Sequence, residues 1–108
     1  METEFQRLAF RMKLKPGFKE EYRKRHAAIW PELQQLLSQA GVFEYSIFLD
    51  EETLTLFAFQ KLRVGGGSQA LGGEAIVQRW WRYMADIMET NPDYSPVSKP
   101  LEEVFYMP

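Results

Sequence analysis

With 108 residues, 45% of them hydrophobic and including three Trp, five Tyr and eight Phe, the chain has the size and core material of one compact domain. A net charge of -2 excludes a nucleic-acid binder that works by phosphate electrostatics. With no cysteine and one histidine, disulfides, thiol nucleophiles, Cys-ligated metals and multi-histidine metal sites within one chain are also excluded.

Met1-Glu2-Thr3-Glu4-Phe5 lacks the apolar stretch of a signal peptide, and no apolar run reaches membrane length. A cytoplasmic protein without membrane attachment is expected. From Phe5 to Leu14 the chain alternates, with Leu8, Phe10, Met12 and Leu14 on one face and Ala9, Arg11 and Lys13 on the other, which predicts a half-buried strand. Pro16-Gly17 ends it and opens a long helix, with Pro31 either kinking that helix or starting a second one. At about 100° per residue Phe18, Tyr22, His26, Ile29, Leu33, Leu36, Leu37 and Ala40 share one stripe. Arg23-Lys24-Arg25 lies beside Glu20 and Glu21 and reads as a solvated face, and Gly41 is the expected stop.

Val42 to Leu49 and Thr53 to Lys61 read as two strands joined by the short Asp50-Glu51-Glu52 connection of a hairpin. Gly65 to Gly73 carries five glycines and reads as a loop, without the Gly-Lys-Ser/Thr ending of a phosphate cradle. A second amphipathic helix is predicted from Glu74 to Met88, turned inward on Ile76, Val77, Trp80, Met84, Ile87 and Met88, with Trp81 and Tyr83 at its edges. Asn91 to Pro96 is dense in turn formers, and Leu101 to Tyr106 reads as a final strand.

Strand, helix, strand, strand, helix, strand is the order of an α+β, ferredoxin-like βαββαβ domain spanning 1–108: a four-stranded antiparallel sheet with both helices on one face. Large apolar groups on the other face, including Phe57 and Phe59, predict that it is covered by a second copy, giving a homodimeric, α/β-barrel-like assembly. Along the strand from Val42, strict alternation groups Phe43, Tyr45, Ile47 and Leu49 against Val42, Glu44, Ser46 and Phe48.

His26 is the one side chain whose ordinary pKa, near about 6.5, lets it give and take a proton at neutral pH. On an apolar stripe it is either a hydrogen-bonded core residue or a working group in a cavity, since a buried, unpaired imidazole costs roughly 2 kcal/mol or more. Tyr22, one turn earlier, is either core or a ligand-orienting phenol. Trp80 sits mid-stripe, as core residues do; Trp81, at the rim, is better placed to meet a ligand, and Tyr45 fits either role. Aromatic planes with a few polar groups suit a sugar, among other small polar ligands.

Four blocks carry a resemblance. Glu21-Tyr22-Arg23-Lys24-Arg25-His26-Ala27-Ala28-Ile29-Trp30-Pro31-Glu32-Leu33, Tyr45-Ser46-Ile47-Phe48-Leu49-Asp50, Gln78-Arg79-Trp80-Trp81-Arg82-Tyr83-Met84 and the tail from Asn91 through Val104-Phe105-Tyr106-Met107-Pro108 resemble the L-rhamnose mutarotases, in order and over nearly the whole chain. The resemblance implies a homodimeric ferredoxin-like isomerase that exchanges the α and β anomers of L-rhamnose without a cofactor. It places the family's proton-donating histidine on His26 and its sugar contacts on Tyr22, Tyr45, Trp80 and Trp81. The glycine-rich stretch departs from the family pattern and leaves the start of the second helix open.

Anomer exchange needs an acid at the ring oxygen and a base at the anomeric hydroxyl. Besides His26, a tyrosine, a carboxylate such as Asp93, or water could serve as the second group. Two other readings stand beside this one: a cofactor-free oxygenase or isomerase on the same scaffold, and a sugar-binding dimer without turnover.

Overall fold

The computed structural model describes residues 5–63 and 71–108. Chain order is β1 (Phe5–Lys13), α1 (Lys19–Ala27), α2 (Pro31–Gln39), β2 (Val42–Asp50), β3 (Thr55–Arg63), α3 (Ala75–Met84) and β4 (Lys99–Leu101). The strands lie in the order β2-β3-β1-β4, and every neighbouring pair is antiparallel. This is the ferredoxin-like arrangement that the element order predicts.

The period of β1 and β3 sets the two faces. Phe10 pairs with Ala58 and Met12 with Leu56, and these four are buried with Leu14, Tyr22, Met84, Ile87 and Met88 in one core beneath the helices. On the opposite face Arg11 pairs with Phe57 and Ala9 with Phe59. That face mixes aromatic rings with cations: Lys61 stands over the Phe5 ring and Arg63 over Phe43. Phe48 and Phe59 meet edge to face at 5.8 Å, and are 63% and 44% exposed.

The long helix is two. Trp30 is extended (φ -61, ψ 127) and Pro31 occupies the first turn of α2, where its missing N–H costs nothing. Trp30, at this break, packs its ring against Trp80 and Tyr83 of α3. The stripe survives the break, because Tyr22, His26, Ile29, Leu33 and Leu37 all line one cleft.

Strict alternation fails in β2. The pairing with β3 slips between Phe43 and Ser46, and Glu44 takes a positive φ of 47°. One extra residue in this bulge moves Phe43 to the outer face with Phe5, while Val42 joins Tyr45, Ile47 and Leu49 on the helix side. Phe43 therefore does not share a face with Tyr45.

Three boundaries also differ from the sequence reading. The hairpin turn extends through Leu54, whose φ is 59°, so β3 starts at Thr55. Helix α3 stops at Met84 instead of Met88. There the chain leaves the helix to bridge Met88 with Leu14, and Lys15 N–H donates to the Ile87 carbonyl at 2.9 Å. Burial of Ile87 and Met88 comes from that bridge, not from a continuing helix face. The last strand spans Lys99–Leu101 rather than Leu101 to Tyr106. Beyond it, side chains hold the tail: Arg7 pairs with both Glu103 carboxylate oxygens (2.7 and 3.0 Å) and stacks 3.4 Å over the Tyr106 ring.

Of the glycine-rich stretch, residues 64–70 lie outside the described residues. Gly72 and Gly73 precede α3, which Glu74 opens.

Candidate functional site

Helix geometry brings Tyr22 and His26 together at i, i+4. Their rings stack with centroids 4.2 Å apart and planes 27° from parallel. The His26 Nδ1 lies 3.1 Å from the Tyr22 backbone carbonyl, which can only accept, so Nδ1 carries the proton and donates it. Nε2 is then left with its lone pair. Burial pushes the imidazole pKa below its ordinary value, and the bond to the Tyr22 carbonyl opposes that shift without cancelling it. The ring is therefore neutral at pH 7.

Helix α3 supplies the next wall. Trp80 meets the His26 ring edge to face at 5.4 Å and is itself backed by Trp30 at 5.1 Å and Tyr83 at 5.6 Å. Trp81, one residue on, turns to another side of the helix. A Cβ added to Gly72 would come 3.2 Å from its Cη2 atom, so the bare glycine lets the chain pass against the indole. Gln78 Nε2 fixes that approach by donating to the Gly72 carbonyl at 2.8 Å.

Strand β2 contributes Tyr45, on the inner face that it shares with Ile47 and Leu49. Its surface is 39% open, yet the surrounding protein desolvates the phenol enough to push its pKa up to about 12. A hydrogen bond with buried Gln60 pulls the other way. Desolvation raises the Tyr22 phenol further still, with a smaller contribution from nearby Tyr45. Both phenols are protonated across the physiological range.

Tyr22, His26, Tyr45, Trp80 and Trp81 all line a single open cleft of about 1220 Å³ between the sheet and the helices. The sequence pointed to these five residues, and the structure brings them together. Asp93, offered as a second proton-transfer group, is elsewhere. It is fully exposed and does not line the cleft, and its carboxylate accepts from Ser95 N–H at 3.0 Å and Ser95 Oγ at 2.5 Å. Those bonds hold its pKa below the usual carboxylate range.

Two further residues escaped the sequence reading. Trp30 props Trp80 from behind, and its place just before Pro31 was the available clue. Tyr94 lines the cleft in a left-handed conformation (φ 71°), with its N–H bonded to the Asn91 carbonyl at 2.9 Å. The turn formers around it predicted a turn but not the direction of this ring. Among the described residues no three His, Asp or Glu side chains gather as a metal site.

A sheet-and-helix domain whose cleft holds one neutral imidazole between a phenol and an indole is a small-ligand domain equipped for proton exchange. The family model described as L-rhamnose mutarotase matches residues 7–107. L-rhamnose mutarotase of Bacteroides thetaiotaomicron is 67% identical over 101 residues, covering 94% of this chain and 97% of the relative. That of Phocaeicola vulgatus is 61% identical over the same shares of the two chains. The crystal structure of L-rhamnose mutarotase from Formosa agariphila superposes with a TM-score of 0.88 at 61% identity, covering 95% of this chain and 99% of that one. The chain belongs to the L-rhamnose mutarotase family.

Proposed function

We propose that this protein is an L-rhamnose mutarotase, exchanging the α and β anomers of the sugar in the cleft, with His26 as its proton-exchanging group. The observation that supports this most is the state of the imidazole: Nδ1–H tied to the Tyr22 carbonyl, Nε2 unprotonated, and the ring neutral beside an open cavity.

The reaction follows from that state. Nε2 takes the proton of the anomeric hydroxyl while the C1–O5 bond breaks and O5 gains a proton from a phenol. The open-chain aldehyde turns about C1–C2, and O5 re-attacks the other carbonyl face. Its proton returns to the phenol as the imidazolium gives its own back to O1. With Asp93 turned onto Ser95, Tyr22 and Tyr45 are the two cleft phenols that desolvation holds protonated, and their raised pKa values keep the proton in place until O5 develops charge. The planes of Trp80 and Trp81 suit the C–H faces of the sugar. Each positioned proton-transfer group is worth about 10²–10⁴-fold.

The test is magnetisation transfer between the anomer signals of L-rhamnose with purified protein. Exchange accelerates, and kcat/KM falls on the acid side as His26 takes up a proton, with a midpoint below about 6.5 because burial favours the neutral ring. Saturable sugar binding with no acceleration would leave a binding protein, and turnover of aromatic or lactone substrates instead would leave the oxygenase reading.

The working unit is a homodimer joined through the outer sheet face. Phe48 and Phe59 are too exposed there for a face that stays wet, and Arg11 and Lys13 run beside them along β1. The tail offers a matching chemistry, with Glu102 beside exposed Val104, Phe105 and Met107. No helix among the described residues is long and apolar enough to cross a membrane. A cysteine-free chain suits the cytoplasm.

A further inference from the structure

Arg25, next to His26, is not the solvated cation its neighbours suggest. Its side chain is 11% exposed and nearly all of its donors are used. Nε donates to Glu21 Oε2 at 2.8 Å on its own helix. Nη1 reaches across to the Tyr83 carbonyl at 2.8 Å and Asp86 Oδ1 at 2.9 Å, and Nη2 to Asp86 Oδ2 at 3.2 Å. The guanidinium also lies 4.5 Å over the Tyr83 ring. Tyr83 is in the last turn of α3, where carbonyls lack partners within the helix and the helix end is partly negative.

We infer that Arg25 is a positioning residue: it clamps α1, which carries Tyr22 and His26, to the C-terminal end of α3, which carries Trp80 and Trp81. The clamp acts one residue from His26 and three from Trp80, whose rings meet at 5.4 Å with planes 89° apart. A small rotation of α1 swings Nε2 away from the wall that the indoles form, and an ångström of misplacement can cost about a hundredfold in rate. Only a planar fork serves both Asp86 oxygens and the Tyr83 carbonyl; an ammonium on a flexible stem does not. This inference rests on His26 being the proton-exchanging group.

The test measures L-rhamnose exchange and sugar binding in Arg25→Lys, Asp86→Asn and His26→Asn, with folding followed by circular dichroism. Arg25→Lys is expected to fold and to lose about tenfold in exchange rate at saturating sugar, with KM changed less than about threefold. Asp86→Asn, at a largely exposed position, is expected to lose about threefold, and it decides the matter alone if Arg25→Lys does not fold. In the His26→Asn background the same changes are expected to lower the residual exchange less than about twofold, because there is no imidazole left to misplace. Full exchange rates in the folded variants overturn the inference, and so does an equal loss in both backgrounds, which marks a purely structural role. An unchanged rate in His26→Asn by itself overturns instead the role of His26 on which this inference rests, whereas no acceleration by the parent chain overturns the mutarotase reading.

Discussion

Replacing His26 with Asn is expected to slow L-rhamnose anomer exchange by about 10²–10³-fold and leave the protein folded. Asn separates two jobs of the ring. Its amide can still donate to the Tyr22 carbonyl, as Nδ1 does at 3.1 Å, so the local hydrogen bond survives. What disappears is Nε2, the acceptor of the only imidazole in the chain. The loss of ring contact with Tyr22 and Trp80, at 4.2 and 5.4 Å, costs about 1–2 kcal/mol of stability, well short of unfolding an average domain. Magnetisation transfer reads the rate and thermal denaturation reads the fold. A folded variant with the full exchange rate removes the imidazole from the chemistry.

The second large effect is on assembly. In a twofold interface each substitution enters twice. Phe59→Asp places one carboxylate per copy on the aromatic outer face, where Phe59 meets Phe48 at 5.8 Å. Desolvating each costs roughly 2 kcal/mol or more, so association weakens at least about a thousandfold. Sedimentation equilibrium at micromolar protein is expected to show a dimer for the parent chain and a monomer for Phe59→Asp. A monomeric parent, or a variant that stays dimeric, contradicts a partner on this face.

The sequence made the fold legible wherever period alone decides it. Leu8, Phe10, Met12 and Leu14 lie on the helix side of β1 because a half-buried strand must alternate, and the stripe through Tyr22 and His26 faces the cleft even though the chain breaks at Trp30. Period misled where the backbone changes conformation under it. Nothing in Phe43-Glu44-Tyr45 announces a positive φ at Glu44, so the slip that sends Phe43 outward and Val42 inward is invisible in the sequence, whereas Tyr45 keeps the face that it shares with Ile47 and Leu49. Ile87 and Met88 continue the apolar rhythm of α3, and only the bridge to Leu14 shows that they are buried outside it.

The site was legible in its members more than in its electrostatics. Apolar spacing placed His26, Tyr22 and Trp80 inward, but it could not distinguish packed core from cavity wall. Which nitrogen of His26 carries the proton depends on a backbone carbonyl that spacing does not locate. The exclusion of Asp93 depends on its bonds to Ser95, and Arg25 looked solvated because Tyr83 and Asp86 are far away in sequence.

The most direct measurement is a 15N NMR titration of the single imidazole, free and with saturating L-rhamnose. The expected result is a ring protonated at Nδ1, with Nε2 bare, a pKa below about 6.5, and an Nε2 resonance that moves when the sugar enters. A ring protonated at Nε2 at pH 7, or an Nε2 signal indifferent to saturating sugar, contradicts the proton exchange on which the account rests.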